Sequence, residues 1–183
     1  MKRKIQHWWQ LQQLRFSRDA PVGEAISFAR AVADIRNILL CMPLEWREFR
    51  VARYVLKFLP TDEQGYHLIF LTPEEHAEKI PMRPGDAVIT LDPSKRPSPV
   101  QFPPGIERRV LDLQYDAVVN MNTEFDLGLA RLIARTDAPL RIGFGGKYSE
   151  YFYNVEIGST ENRFLLEGAY RSIQRLLNLE NNS

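Results

Sequence analysis

One cysteine in 183 residues, Cys41, leaves no partner for an intramolecular disulfide and excludes a Cys/His zinc site. The three histidines, His7, His67 and His76, stand at no metal-ligand spacing and complete no Ser/His/Asp pattern. No metal and no cofactor is therefore expected. Long apolar runs are also lacking, and nothing approaches the ~20 residues of a membrane span. The opening segment, MKRKIQHWWQLQQLRF, is basic but too polar for the core of a secretory signal. Excess charge is missing too: a formal net charge of +1 gives no global case for a nucleic-acid partner. With so little cysteine, a reducing, cytoplasmic location is the expectation. What is present is ordinary for a globular chain, 44% hydrophobic and 26% charged residues. A chain of this length buries about 70% of its unfolded surface and folds as one domain without a staple.

Residues 1–30 differ from the rest. Lys2, Arg3, Lys4, Arg15, Arg18 and Arg30 face only Asp19 and Glu24. Ile5, Trp8, Trp9, Leu11, Leu14 and Phe16 cover a broad helical arc before Pro21 and Gly23 break the pattern. This segment reads as a basic amphipathic helical arm, separate from residues 31–183. Cations beside paired tryptophans suit an anionic membrane surface, which residues 1–18 would meet at the inner face of the membrane. An arm packed on its own domain or on a protein partner is the alternative.

From Asn37 onward apolar runs alternate with helical stripes. Residues 38–41 (ILLC), 66–71 (YHLIFL), 86–91 (DAVITL), 117–120 (AVVN) and 140–143 (LRIG) read as buried strands, and residues 153–157 as a sixth strand or an extended segment. Trp46, Phe49, Ala52, Val55, Leu56 and Leu59 recur at helical spacing, as do Phe125, Leu129, Leu132 and Ile133, and then Phe164, Leu165, Ala169, Ile173, Leu176 and Leu177. Thr72 caps a short helix with Pro73 at its first position and Glu75 completing a capping box. The proline-rich stretch 92–105 reads as a loop. This alternation predicts an α/β fold: a doubly wound, mostly parallel, Rossmann-like sheet in the order 3-2-1-4-5, with helices on both faces.

In such folds ligands bind beyond the carboxyl ends of the strands where the winding reverses, here between the first and fourth strands. The loops there carry Glu45 and Glu48; Asn122, Thr123 and Glu124; and, after the fifth strand, Lys147 within Phe144-Gly145-Gly146-Lys147-Tyr148. The same residues have plainer uses. Glu45 and Glu48 favour the dipole of a helix they open, Thr123 and Glu124 can cap the next helix, and the diglycine can be a turn instead of a phosphate cradle.

Tyr115-Asp116-Ala117-Val118-Val119-Asn120-Met121-Asn122, a leucine-rich helix, and Ala138-Pro139-Leu140-Arg141-Ile142-Gly143-Phe144 follow one another in a distinctive order. This block resembles the ADP-heptose:lipopolysaccharide heptosyltransferases, glycosyltransferase family nine. Residues 36–43 are similar to that family's opening strand and turn, and residues 162–179 to the helix closing its N-terminal domain. The resemblance implies a single half of a two-domain glycosyltransferase fold, the half that holds the acceptor while the other holds the nucleotide-sugar. The family's Gly-Asp pair after the first strand, whose Asp is a proposed general base, is replaced here by Pro43-Leu44-Glu45-Trp46-Arg47-Glu48. Glu45 and Glu48 are positional substitutes, and Asn120 stands where the fourth strand often carries Asp. The expectation is a degenerate, non-catalytic heptosyltransferase-like domain acting as a binding or interaction module, with a protein partner or a second copy of itself. The alternative is the acceptor half of a split or oligomeric transferase in cell-envelope polysaccharide synthesis. There Glu45 or Glu48 would deprotonate an acceptor hydroxyl, and Arg141 and Lys147 would hold an anionic acceptor or diphosphate.

Overall fold

The structure, a computed structural model, describes residues 35–59, 65–158 and 166–177. The helical arm expected over residues 1–30 lies outside them, as does the cap expected at Ser159 or Thr160. The described residues form six strands, β1 (Asn37–Cys41), β2 (His67–Pro73), β3 (Ala87–Leu91), β4 (Ala117–Asn120), β5 (Leu140–Phe144) and β6 (Val155–Ile157). Five α-helices accompany them: α1 (Trp46–Leu56), α2 (Glu74–Ala77), α3 (Pro104–Leu111), α4 (Leu127–Ala134) and α5 (Leu166–Leu176).

All strands are parallel and lie in the order β3-β2-β1-β4-β5-β6. The expected 3-2-1-4-5 order is therefore observed, with β1 and β4 central. Composition explains it. Ile38, Leu39 and Leu40 in β1, and Ala117, Val118 and Val119 in β4, are at most 1% exposed, so both faces need cover and neither strand can sit at an edge. Of residues 153–157, Val155–Ile157 form an edge strand. Its alternation of Val155 and Ile157 with outward Glu156 suits half-burial, and Gly145 N–H donates to Ile157 C=O at 2.8 Å.

One core layer lies under α1 and α5. Phe49, Ala52 and Val55 from α1 and Tyr170 and Ile173 from α5 pack on Ile38, Leu40, Val119 and Ile142. Gln174, 5% exposed, joins the two helices by donating to Val55 C=O at 3.1 Å. The opposite face of the sheet receives α4, whose Leu129, Ala130, Leu132 and Ile133 are buried.

Three local expectations are corrected. Thr72 and Pro73 do not open a helix: they end β2, in register with Thr90 and Leu91, and α2 starts only at Glu74 with no side-chain cap. The α4 cap is Asp126, accepting from Leu129 N–H at 2.8 Å, and neither Thr123 nor Glu124. Phe125, expected on the α4 stripe, precedes the helix and packs on Phe152 with ring centroids 5.7 Å apart. The stretch 92–105 is mostly loop, but Asp92 caps a 3₁₀ turn at Pro93–Lys95 and Pro104 opens α3. That helix escapes a periodicity reading because Val110 is its one buried side chain.

Candidate functional site

The carboxyl ends of β1 and β4 are stitched together by their following loops. Met121 N–H donates to Cys41 C=O at 3.0 Å. Asn122, 8% exposed, accepts the Leu44 N–H at 2.8 Å and donates to Met42 C=O at 3.3 Å. Its amide also donates to Asn120 Oδ1 at 2.8 Å, and Asn120 in turn donates to the Tyr153 hydroxyl at 2.6 Å. This buried amide–amide–phenol chain fixes the floor of the switch point, because a buried polar group left unpaired costs about 1–3 kcal/mol. Tyr153 is 6% exposed, and burial drives its hydroxyl well above the usual tyrosine range, so it stays protonated. Its ring packs against Gly143, where an added Cβ would stand 2.5 Å from a ring carbon.

Above this floor lies a cleft of about 610 Å³ lined by Glu45, Arg47, Glu48, Val51, Thr123, Glu124 and Leu166. The start of α1 supplies Glu45 and Glu48, because β1 ends directly beneath the first turn of that helix. Glu48 accepts from the Thr123 hydroxyl and from the Thr123 N–H, the latter at 3.2 Å. The exposed Glu45 carboxylate has no partner among the described residues. Tyr170 roofs the floor from α5, donating its hydroxyl to Met121 C=O at 2.8 Å. Burial first, and the nearby Glu48 charge second, hold that hydroxyl far above its ordinary range.

Of the residues singled out from sequence, Glu45, Glu48, Thr123 and Glu124 meet in this cleft. Asn122 lies beneath it with its amide committed to the fold. Arg141 and Lys147 do not line it. Arg141 is the second residue of β5, at the amino end of a sheet whose cleft opens at the carboxyl end. Its guanidinium is spent on Phe152 C=O at 3.1 Å and Ala138 C=O at 3.4 Å. Lys147 sits over the Tyr148 ring, 5.2 Å from its centroid. The diglycine donors are used internally as well, Gly145 on Ile157 C=O and Gly146 on Ser149 Oγ at 2.8 Å, which makes this loop a turn. Among the described residues no group of His, Cys, Asp or Glu is arranged to hold a metal ion.

Sequence reasoning missed the structural use of the distinctive Tyr115-Asp116 pair. Asp116 Oδ2 accepts both the Arg36 and Asn37 N–H groups at 2.8 Å, fixing the amino end of β1 against β4. Tyr115 donates its hydroxyl to Val110 C=O at 2.9 Å and anchors α3. Both lie at the end of the sheet remote from the cleft, so the motif holds the scaffold.

No protein-family profile matches the sequence, and no curated protein sequence does. Solved structures do match the fold. A family 9 glycosyl transferase from Veillonella parvula superposes with a TM-score of 0.62 at 15% identity, over 81% of this chain and 42% of its own. The E. coli heptosyltransferase WaaC with ADP gives 0.60 at 14% identity, over 80% of this chain and 48% of its own. The same enzyme with ADP-2-deoxy-2-fluoro heptose gives 0.61 at 13% identity, over 80% of this chain and 50% of its own. The chain thus spans about half the length of the transferases it resembles, and the described residues have the fold of half of such an enzyme.

Proposed function

We propose that this domain is a binding module on a heptosyltransferase-like scaffold, which takes a hydroxyl-rich, non-anionic ligand in the β1/β4 cleft and does not itself transfer a sugar. The charge of that cleft carries the reading. Glu45, Glu48 and Glu124 face it with Arg47 as the lone cation among the described lining residues. Three carboxylates repel a diphosphate but accept hydrogen bonds from sugar hydroxyls. Stabilising a leaving diphosphate needs cations or aligned N–H donors in a water-poor pocket. The two cations expected to do so, Arg141 and Lys147, stand outside the lining, and the Gly145 and Gly146 N–H groups are already paired. Glu48 is also engaged by Thr123, which holds it as a structural acceptor.

The runner-up reading is the acceptor half of a split or oligomeric transferase in cell-envelope polysaccharide synthesis, with a partner chain or second copy supplying the donor wall. The unpartnered Glu45 favours it, since a general base must have its carboxylate free to reach a substrate hydroxyl. Calorimetry with ADP-sugars and an assay for released nucleotide separate the two. The binding-module reading expects neither heat at micromolar concentrations nor turnover by the purified chain. Micromolar nucleotide-sugar binding, or turnover lost in Glu45→Gln or Glu48→Gln, would overturn it in favour of the enzyme.

A further inference from the structure

Further along α1, past the Arg47 and Val51 that both clefts share, the charge reverses. Arg47, Arg50, Arg53 and Lys57 line an open cleft of about 480 Å³ that runs between α1 and α5. None of these four side chains has a hydrogen-bond or ion-pair partner among the described residues, and the buried Arg53 Nε is left unsatisfied. The carboxylate in the lining, Glu167, is already held by Arg171 at 2.9 Å. For a chain with a net charge of +1, this is a strong local concentration of unpaired positive charge. Aromatic rings accompany it. Tyr54 and Phe58 are 48% and 53% exposed, meet edge to face at 5.1 Å, and carry Arg171 over the Phe58 ring at 5.7 Å.

We infer that this α1–α5 face docks the protein on an anionic lipid surface, the cations meeting phosphate headgroups and Tyr54 and Phe58 entering the interfacial layer. Geometry selects that occupant over a small soluble anion. From Arg47 to Lys57 the helix advances about 15 Å at 1.5 Å per residue, which distributes the charges over several headgroups instead of converging them on one phosphate. A soluble anion would also leave both aromatic rings in water, whereas amphipathic rings gain at a headgroup boundary. Among the described residues no helix is long and apolar enough to cross a membrane, so the contact is lateral.

The test is co-sedimentation of the full chain with vesicles of equal parts phosphatidylglycerol and phosphatidylcholine, against pure phosphatidylcholine. Binding to the anionic vesicles alone, weakened by salt, is expected. Each cation near such a surface contributes about fivefold in partitioning, so Arg50→Gln/Lys57→Gln should lose about 30-fold. Tyr54→Ser/Phe58→Ser should weaken binding while leaving the thermal midpoint and far-ultraviolet spectrum unchanged, since all four substituted side chains are on the surface. Wild-type sedimentation by the charge variant would overturn the proposal and move any contact to residues 1–30. Absence of vesicle binding also overturns it, and inorganic pyrophosphate binding lost in the charge variant would then reassign the cleft to a soluble phosphate.

Discussion

Glu48 holds Thr123 twice, through its hydroxyl and through its backbone N–H at 3.2 Å, across 75 positions of sequence. The pair ties the first turn of α1 to the loop after β4, the two walls of the cleft. Hydrogen bonds to a charged acceptor contribute about 1.5–3 kcal/mol when shielded, and this half-buried pair belongs at the lower end. A double-mutant cycle on Glu48→Gln and Thr123→Val, followed by denaturant unfolding, should return a coupling of about 1.5 kcal/mol. Strict additivity would show that the two walls are positioned by other contacts and not by this pair.

The Tyr153 ring on Gly143 allows no side chain at residue 143. A Cβ there would lie 2.5–2.7 Å from three ring carbons, and the ring cannot retreat freely while its hydroxyl is bound to Asn120. Gly143→Ala should therefore destabilise by about 1–3 kcal/mol, the range for overpacking. Combining it with Tyr153→Leu should recover part of that loss. Retention of full stability by the single variant would mean that the ring swings aside at no cost.

These two relationships mark the boundary of what the sequence conveys. The strands and their order are legible because continuous apolar runs such as Ile38–Cys41 must be buried on both faces, which leaves central positions as the solution. The grouping of Glu45 and Glu48 with Thr123 and Glu124 follows from that order alone. Arg141 lies outside the lining of the cleft for a reason the sequence also carries. Its position near the start of β5 already puts it at the wrong end of a parallel sheet. The contact between Tyr153 and Gly143, and the Asn120–Asn122 chain, have no periodic signature, since they depend on how β6 and the preceding turn fold back on β5. The helix α3 is hidden for a related reason, with too few inward side chains to mark a stripe.

His76 stacks on Phe49 with centroids 4.3 Å apart and is 2% exposed, with no hydrogen-bond partner for Nδ1 among the described residues. Burial pulls its pKa below the ordinary 6.5, opposed by the neighbouring Glu75 carboxylate and aided by Lys79. The neutral ring is thus favoured in the fold. The associated stability is complete above about pH 6.5, the unfolded value, and is lost as pH falls through the lower folded value. Urea midpoints measured between neutral and mildly acidic pH should decline in the wild type. His76→Phe, which keeps the aromatic stack without a titrating nitrogen, should decline less over the same range. Parallel declines would assign the acid sensitivity to other groups.

Asn122 provides the sharpest separation between a structural and a ligand-binding role. Its oxygen accepts the Leu44 N–H at 2.8 Å, and its nitrogen donates to Met42 C=O and to Asn120 Oδ1. All three partners lie in or beside the central strands, and the residue is 8% exposed, so a bound sugar could reach this amide only by displacing them. Asn122→Ala leaves the Leu44 N–H and the Met42 C=O without their side-chain partner, while Asn120 Oδ1 keeps the residue 122 backbone N–H at 3.1 Å. A loss of about 2–4 kcal/mol is expected, since each buried group orphaned costs about 1–3 kcal/mol. Asn122→Asp keeps the acceptor for Leu44 but sets a carboxylate against two oxygens. Its penalty should therefore shrink as pH is lowered and the carboxyl becomes protonated and able to donate. Thermal melts across that pH range decide the matter: a variant as stable as wild type at neutral pH would free Asn122 from the scaffold and return it to the ligand-binding set.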